Sequence, residues 1–288
     1  MKETTRPTVS IIIPHYNQNR LLEKCVASIA PQLTDNDEII IVDDHSVLSP
    51  ALEMEDEIKR LRIILLPENR GAASARNLGA EQARGDYIVF LDADDVALPG
   101  RIEAQLKAMH LNGDWMGCVG DYTYQRDEKR IAASKETGEM FSIQRALFSG
   151  HIFAAGSTLM IKRKFFRDIG GYNPDFRVYE DWDLLLRAVL QSNIGHCGVL
   201  VALVSPSSRR AGKEDRLNVL SELSTRYGLR IPQRYQRRFS QALAYERASL
   251  YFRASKAWKG LGALVQGFIY APITLSKRLF SRVVCGRP

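Results

Sequence analysis

The chain has 288 residues, of which 45% are hydrophobic and 25% charged, and this composition excludes a predominantly disordered protein. Its net charge of +7 is unevenly distributed. Residues 205–288 contain 17 Lys and Arg against 4 Asp and Glu, whereas residues 1–204 contain 23 against 29. This division predicts an acidic body and a basic tail that meets an anionic surface. Nucleic acid is not expected as a partner, because the acidic body would repel it.

The cysteines and the apolar segments indicate the compartment. Four cysteines are scattered without the spacing of a zinc or redox site, and three lie in apolar runs typical of a protein core in a reducing environment. The N-terminus lacks the apolar segment of a signal peptide. The apolar stretch at 257–275 is interrupted by polar residues and a proline, so it is not expected to span a membrane. We therefore expect a cytoplasmic protein.

Strand and helix patterns alternate through the first hundred residues. Apolar, β-branched runs predict four buried strands, at 9–13, 38–42, 62–66 and 86–91. Helical patterns fall between them, at 21–29, 52–61 and 72–83. Continuous apolar strands separated by helices predict an α/β fold with a mostly parallel, Rossmann-like sheet covered on both faces. Ligands of such sheets bind beyond the carboxyl ends of the strands.

The second half is predicted to complete this domain. Strands are expected at 116–123, 130–133, 157–161 and 194–204, and helices at 99–110, 141–148, 164–169 and 179–190. From residue 213 onward the pattern is helical and basic, with a helical hairpin over 242–264 that bends near Gly260 or Gly262. We therefore expect one domain of residues 1–205 and a helical, basic appendage of residues 206–288.

Three aspartates end the fourth strand. Asp92, Asp94 and Asp95 follow a buried apolar run, and carboxylates gathered there repel one another unless a cation or bound water neutralises them. Asp92 and Asp94 face the same side of an extended backbone, so they can share one hard cation. An oxygen-only site suits Mg²⁺ or Mn²⁺, which commonly also binds substrate phosphates. The alternative is that these aspartates only end the strand and cap the next helix.

Polar residues also follow the other strands of the predicted sheet. They occupy 14–17, 43–46 and 67–70. Because the carboxyl ends of parallel strands meet at one edge, these clusters and the aspartates are expected to line a common site.

Five short motifs occur in order along the chain. They read VSIIIPHYN at 9–17, IVDDHS at 41–46, NRGAASARN at 69–77, FLDADD at 90–95 and YEDWD at 179–183. This series resembles the family 2 glycosyltransferases, which are inverting enzymes with a GT-A fold. The resemblance covers residues 8–205 and is specific because five motifs keep both order and spacing. It implies a nucleoside-diphosphate sugar, with uridine as the expected base, and a metal-dependent reaction.

The resemblance assigns the donor site residue by residue. It implies that Asp44 bonds the base and that Pro14 and Tyr16 form an apolar wall beneath it. Arg76 would bind a phosphate or the base-binding carboxylate, since its fork of donors suits either. The alternatives are helix capping before Pro50 for Asp43 and Asp44, and a surface helix position for Arg76.

The same resemblance implies that Asp92 meets the ribose and the metal, and that Asp94 binds the metal bridging the diphosphate. Asp95 assists or caps the following helix. Family members place a further polar group after the last strand, where this chain has 205–210 without a histidine. Arg209 and Arg210 are therefore candidates for the third contact to the diphosphate.

The motif at 179–183 supplies the acceptor side. By resemblance, Asp181 is the general base that takes the proton from the acceptor hydroxyl, with a pKa raised by burial and nearby carboxylates such as Glu180. The alternative is an acidic first turn that complements the helix dipole. Trp182 either stacks on a sugar or belongs to the core.

Two other functions remain open from the sequence. A haloacid-dehalogenase-like phosphatase would use Asp92 as nucleophile and Asp94 as acid and base, although that motif normally opens its domain. A non-catalytic relative would use the fold only to bind membranes. We expect a glycosyltransferase acting on a glycan or lipid-linked acceptor in cell-surface polysaccharide biosynthesis. Its segment 242–264 would pack as a hairpin, and 269–284 would face the inner, anionic membrane surface.

Overall fold

The computed structural model divides into two compact units. The first comprises Met1–Ile143 and Phe153–Arg209, and the second Gln144–Ile152 and Arg210–Pro288. The structure describes residues 6–50, 52, 58, 60–126, 129–132, 140–151, 153–205, 212–253 and 257–270. Residues 144–152 lie inside the range 1–205 that the sequence assigned to one domain, but they group with the second unit.

The first unit is built on a mixed sheet in which ten strands are described. The strands are β1 Val9–His15, β2 Glu38–Asp43, β3 Leu61–Leu65, β4 Tyr87–Phe90, β5 Val96–Ala97, β6 Trp115–Arg126, β7 Lys129–Ala132, β8 Phe141–Ser142, β9 Met160–Lys162 and β10 Asn193–Val204. Their order is β3-β2-β1-β4-β9-β6-β10-β5, with β7 beside β6 and β8 beside β10. The strands β3, β2, β1 and β4 are parallel, as the sequence predicts.

Burial explains why these strands could be found from the sequence. Every residue of β1 and β2 is buried, so both strands are continuous apolar runs rather than alternating ones. Ile12 in β1 lies opposite Ile40 in β2 and Phe90 in β4, and all three are fully buried. The strand β9 is antiparallel to β4 and β6, and β10 runs parallel to β6.

The helices of the first unit cover this sheet. They are α1 Asn19–Ile29, α2 Ala72–Gln82, α3 Arg101–Leu111, α5 Ala155–Thr158, α6 Arg163–Asp168 and α7 Glu180–Gln191. Helix α1 buries residues at the spacing of one helix face. Helix α2 packs tightly on the sheet at Gly79. A Cβ added at this position would lie 2.5 Å from Ile12 Cγ2, so there is no room for a side chain.

Two predicted elements differ from the structure. The strand predicted at 157–161 is the short helix α5 followed by β9, because the hydroxyls of Ser157 and Thr158 bond to Asp95 and to the carbonyl of Phe153 instead of leaving the segment extended. The helix predicted at 141–148 begins as strand β8, because Phe141 stacks on His196 with ring centroids 4.8 Å apart.

The predicted helix at 52–61 lies mostly outside the described residues, and Leu61 itself belongs to β3.

The second unit is helical where it is described. Its elements are α4 Gln144–Phe148, α8 Lys213–Tyr227, α9 Gln233–Arg253 and α10 Ala257–Tyr270. Phe148 of α4 packs on Tyr235 of α9, with ring centroids 5.4 Å apart, and Leu220, Leu223 and Phe239 are buried. Gly260 and Gly262, expected near the bend of a helical hairpin, both lie within α10. Within the described ranges, no helix combines the length and hydropathy needed to cross a bilayer.

Candidate active site

The carboxyl ends of β1, β2 and β4 lie side by side and carry the polar residues that the motifs predicted. His15 at the end of β1 is opposite Asp43 at the end of β2, and the N–H of Asp44 donates to the carbonyl of His15 at 2.8 Å. The aspartates begin two residues after β4. The parallel register therefore brings segments that are distant in sequence to one edge of the sheet.

His15, Asp43 and the partly buried Ser46 form a hydrogen-bonded cluster at this edge. His15 Nδ1 lies 2.7 Å from Asp43 Oδ1, and Nε2 accepts the N–H of Gln18 at 3.1 Å. The proton therefore resides on Nδ1, and no imidazole nitrogen remains to activate a nucleophile. Asp43 Oδ2 accepts the N–H of Ser46 at 3.1 Å, so this carboxylate fixes the turn that follows β2.

Asp44 ties the end of β2 to the start of α2. Its carboxylate oxygens accept the N–H groups of Arg70 at 2.6 Å and Gly71 at 2.8 Å, and its carbonyl accepts Asn69 Nδ2–H at 3.1 Å. Gly71 has a φ of +87°, a conformation that favours glycine. Asp44 is only 3% exposed. Its position at the predicted base-binding site depends on these hydrogen bonds to residues 69–71. In the same region Pro14 is buried and Tyr16 partly exposed.

A single guanidinium joins the two halves of the predicted site. Arg76 on α2 is 3% exposed, and its NH2 lies 2.6 Å from Asp92 Oδ1 while its NH1 lies 3.3 Å from Glu180 Oε1. Its pKa is raised well above the usual value, because Asp92 and the neighbouring acids outweigh burial. The guanidinium thus stays charged. The structure excludes the surface-helix alternative for Arg76, and it shows ion pairs with Asp92 and Glu180.

The carboxylates of Asp92, Asp94 and Asp95 lie within 4.8 Å of one another. Asp95 is 3% exposed and accepts hydrogen bonds from the hydroxyl of Ser157 and from the N–H of Ser205, the latter at 2.7 Å. Burial, then the charge of Asp92 and that of Asp94, raise the pKa of Asp95 well above its usual range. A divalent cation would relieve this repulsion, so the residues present fit a Mg²⁺ or Mn²⁺ site.

Asp181 lies on the first turn of α7. Its Oδ2 accepts the N–H of Gly156 at 3.0 Å, whereas its Oδ1 is shielded from solvent and has no hydrogen-bond partner among the described residues. Burial and the charges of Glu180 and Asp92 raise the pKa of Asp181 to about 7, against the opposing effect of Arg76. A solvated acid at a helix N-terminus would show none of this perturbation, which favours a chemical role.

Trp182 belongs to the core. It is 1% exposed, and its ring centroid lies 6.1 Å from that of Tyr179. Trp182 follows Asp181 but points into the interior of the first unit. It is therefore a core residue, and the sugar-stacking alternative is excluded. Arg209 and Arg210 lie outside the described residues, and their contact to a diphosphate stays a prediction.

Sequence reasoning missed the support beneath Arg76. Tyr172 is 1% exposed and places its ring 5.0 Å from the carbon of the Arg76 guanidinium. Asn77 holds Tyr172 by two hydrogen bonds of 2.8 Å, one to its N–H and one to its carbonyl. Asn77 stands in a recognised motif and Tyr172 follows a glycine pair, but nothing in the sequence joins residues that lie 95 positions apart.

A family model described as "Glycosyl transferase family 2" matches residues 10–170. An uncharacterized glycosyltransferase of Haemophilus influenzae is 40% identical over 37% of this chain and 44% of its own length. YwdF of Bacillus subtilis, also an uncharacterized glycosyltransferase, is 28% identical over 77% and 84%. The putative teichuronic acid biosynthesis glycosyltransferase TuaG of Bacillus subtilis is 40% identical over 36% and 42%. Matches to several curated relatives thus span less than two thirds of their length.

Solved structures show the same fold. The crystal structure of S. aureus TarS 1–349 in complex with UDP-GlcNAc superposes with a TM-score of 0.61 at 14% identity, covering 89% of this chain and 90% of that one. A second crystal structure of S. aureus TarS 1–349 gives a TM-score of 0.60 at 15% identity, with the same coverage. The fold class predicted from the sequence, a GT-A-type α/β domain, is confirmed.

Proposed function

The chain belongs to glycosyltransferase family 2, and we propose that it transfers a sugar from a UDP-sugar to a hydroxyl of a glycan or lipid-linked acceptor, with inversion at the anomeric carbon. The observation that carries this proposal is the pairing of Arg76 with both Asp92 and Glu180. It holds a cluster of three carboxylates suited to a metal next to a carboxylate with the pKa of a general base.

The donor side rests on the carboxylate cluster. Asp94 and Asp92 would hold Mg²⁺ or Mn²⁺, with Asp95 fixing the turn through Ser157 and Ser205. A bound divalent cation there supplies neutralisation of the diphosphate charge. We assign Asp44, Pro14 and Tyr16 to the base, because the N–H groups of Arg70 and Gly71 hold the Asp44 carboxylate at the same sheet edge as Pro14.

The acceptor side rests on Asp181. Its shielded Oδ1 lacks a partner among the described residues, and an acceptor hydroxyl is the group that would supply one. As the hydroxyl oxygen bonds to the anomeric carbon, its proton passes to Asp181, and the bond to the diphosphate breaks with its electron pair leaving on the phosphate oxygen. A single displacement without a covalent intermediate inverts the configuration.

Two comparisons support the choice of substrates. TarS was crystallised with UDP-GlcNAc and with UDP, which favours a uridine donor here. TuaG is named for teichuronic acid biosynthesis, which favours a polysaccharide acceptor. Cys25, Cys118 and Cys197 are buried free thiols, in keeping with a reducing cytoplasm.

The phosphatase alternative has no such support, since a different family model matches the Asp92 segment and Arg76 occupies an oxygen of that carboxylate.

Screening nucleotide sugars tests the proposal. Purified protein is incubated with a donor panel, with Mn²⁺ or with a chelator, and release of the nucleoside diphosphate is followed. We expect turnover with one or more UDP-sugars, lost on chelation and lost again in Asp181→Asn. The same change at exposed Asp175 is the matched control and should leave turnover intact. Absence of turnover with every donor would favour the non-catalytic relative, and a product with the donor's configuration, seen by NMR, would reject the assigned role of Asp181.

A further inference from the structure

Helix α10 presents large apolar side chains outward and small residues inward. Trp258 is 86% exposed, Leu261 49% and Val265 53%, while Gly260 and Ala263 are buried. At the helical repeat these three large residues lie within one outward stripe. We call Trp258, Leu261 and Val265 the α10 apolar face. A helix at the surface of a water-soluble domain normally shows the reverse arrangement.

Packing against α9 explains the inward choice of small residues. The ring of Phe252 on α9 lies 3.0 Å from the position that a Cβ on Gly260 would occupy. A larger residue at 260 would push the two helices apart. The large side chains therefore have no place between α9 and α10, and the described part of the chain leaves them uncovered. Contiguous exposed apolar side chains of this kind mark an interaction surface.

The charged residues in the sequence that flanks α10 indicate what kind of surface this face binds. Residues 247–288 contain eight Lys and Arg and no Asp or Glu, and Lys259 follows Trp258 and is exposed. An apolar stripe that contains Trp, in a segment whose charged residues are all basic, is complementary to a surface that offers both hydrocarbon and negative charge. A bilayer with anionic headgroups has both properties.

We propose that the α10 apolar face docks on an anionic lipid bilayer, with the helix lying in the interface. Helix α10 has 14 residues, which at about 1.5 Å per residue span about 21 Å, less than the ~30 Å of a hydrocarbon core. This changes the prediction made from the sequence, in which 242–264 only packed and 269–284 faced the membrane. Residues 271–288 lie outside the described ranges. Docking does not depend on the transferase reaction.

Vesicle binding by the full chain tests the proposal. Vesicles of phosphatidylcholine with phosphatidylglycerol are compared with phosphatidylcholine alone, at low and high salt, by co-sedimentation. Trp115 and Trp182 are 6% and 1% exposed, so a change in tryptophan emission on adding vesicles reports on Trp258. We expect anionic vesicles to bind the protein, to shift its emission to shorter wavelength, and to lose part of that binding at high salt.

The double variant Trp258→Gln, Leu261→Gln identifies the surface. It should weaken binding to anionic vesicles by about tenfold or more, because both apolar side chains are lost from the interface. Leu229→Gln is the matched control, since Leu229 is 91% exposed between α8 and α9, and it should bind like the unchanged protein.

Three outcomes overturn the proposal: folded protein that ignores anionic vesicles, binding that survives the double variant, or self-association in sedimentation velocity that the double variant abolishes.

Discussion

Replacing Arg76 by Met is expected to destabilise the protein and to raise the pKa of Asp181, the proposed general base. Removing one partner of a buried ion pair costs about 3–5 kcal/mol in general. The side chains of Asp92 and Glu180 are 33% and 20% exposed, so solvent reduces that penalty, and we expect a loss of about 2 kcal/mol in the free energy of unfolding. Chemical denaturation followed by circular dichroism measures it.

The pH dependence of kcat/KM tests the role of Arg76 more specifically than the loss of stability does. Arg76 lowers the pKa of Asp181, against burial and the neighbouring acids that raise it to about 7. A general base must be unprotonated, so kcat/KM rises with pH through this pKa. Without the guanidinium the neutral acid is favoured, and the acidic limb of the profile moves to higher pH. Arg76→Lys keeps the charge without the fork and should move the limb less.

Arg70→Met is the matched control for these measurements. Arg70 pairs with Glu68 at 2.9 Å, but their side chains are 55% and 67% exposed, so its loss should cost about 0–1 kcal/mol. The limb of the profile should stay in place. If Arg76→Met leaves the limb unmoved while the protein remains folded, Asp181 is not the titrating base, and the electrostatic reasoning that joins Arg76 to it is refuted.

Further predictions concern the metal, the base and the packing of helices. Asp94→Ala should abolish Mn²⁺-dependent UDP binding in calorimetry, whereas Asp181→Asn should keep that binding and lose about 10²–10⁴-fold in kcat; loss of nucleotide binding in Asp181→Asn would make this residue a ligand. Because the pKa of Asp95 is raised, Mn²⁺ binding should displace a proton, so affinity should rise with pH and the binding enthalpy should depend on the buffer. Both effects should be smaller in Asp95→Asn. Gly79→Ala should lower stability by about 1–3 kcal/mol, since its Cβ would meet a β1 side chain at 2.5 Å. The same change at Gly262, where a Cβ meets nothing within 4 Å, should raise helix stability by about 1 kcal/mol.

The extent to which the sequence predicts this fold follows from burial. The strands β1 to β4 could be located because the sheet is covered on both faces, which leaves unbroken apolar runs. The segment at 157–161 was misassigned because its pattern is equally apolar, and only its hydroxyl partners decide the conformation. Ser157 bonds to Asp95 across 62 residues, and no local signal reports such a contact.

The polar residues that follow the strands could be predicted from the sequence. The contacts between these segments could not. Aspartates that follow a buried strand are visible in the sequence, as is an acidic pair at a helix start. The link between them is not, because Arg76 reaches Glu180 across 104 residues and rests on Tyr172. Long-range pairing of this kind depends on how α2 lies on the sheet, which small residues such as Gly79 determine.

Arg76 and Asn77 are successive residues of α2, and Arg76 contacts Asp92 and Glu180 while Asn77 holds the backbone of Tyr172. A single helix thereby positions the contacts to Asp92 and Glu180 together with those to Tyr172. Adding or deleting one residue between Gly71 and Arg76 would turn the rest of the helix by about 100° and carry both contacts away together. The length of this segment is consequently as strict a requirement as its composition. Any replacement of the segment before Arg76 would have to preserve the number of residues from Gly71 to Arg76.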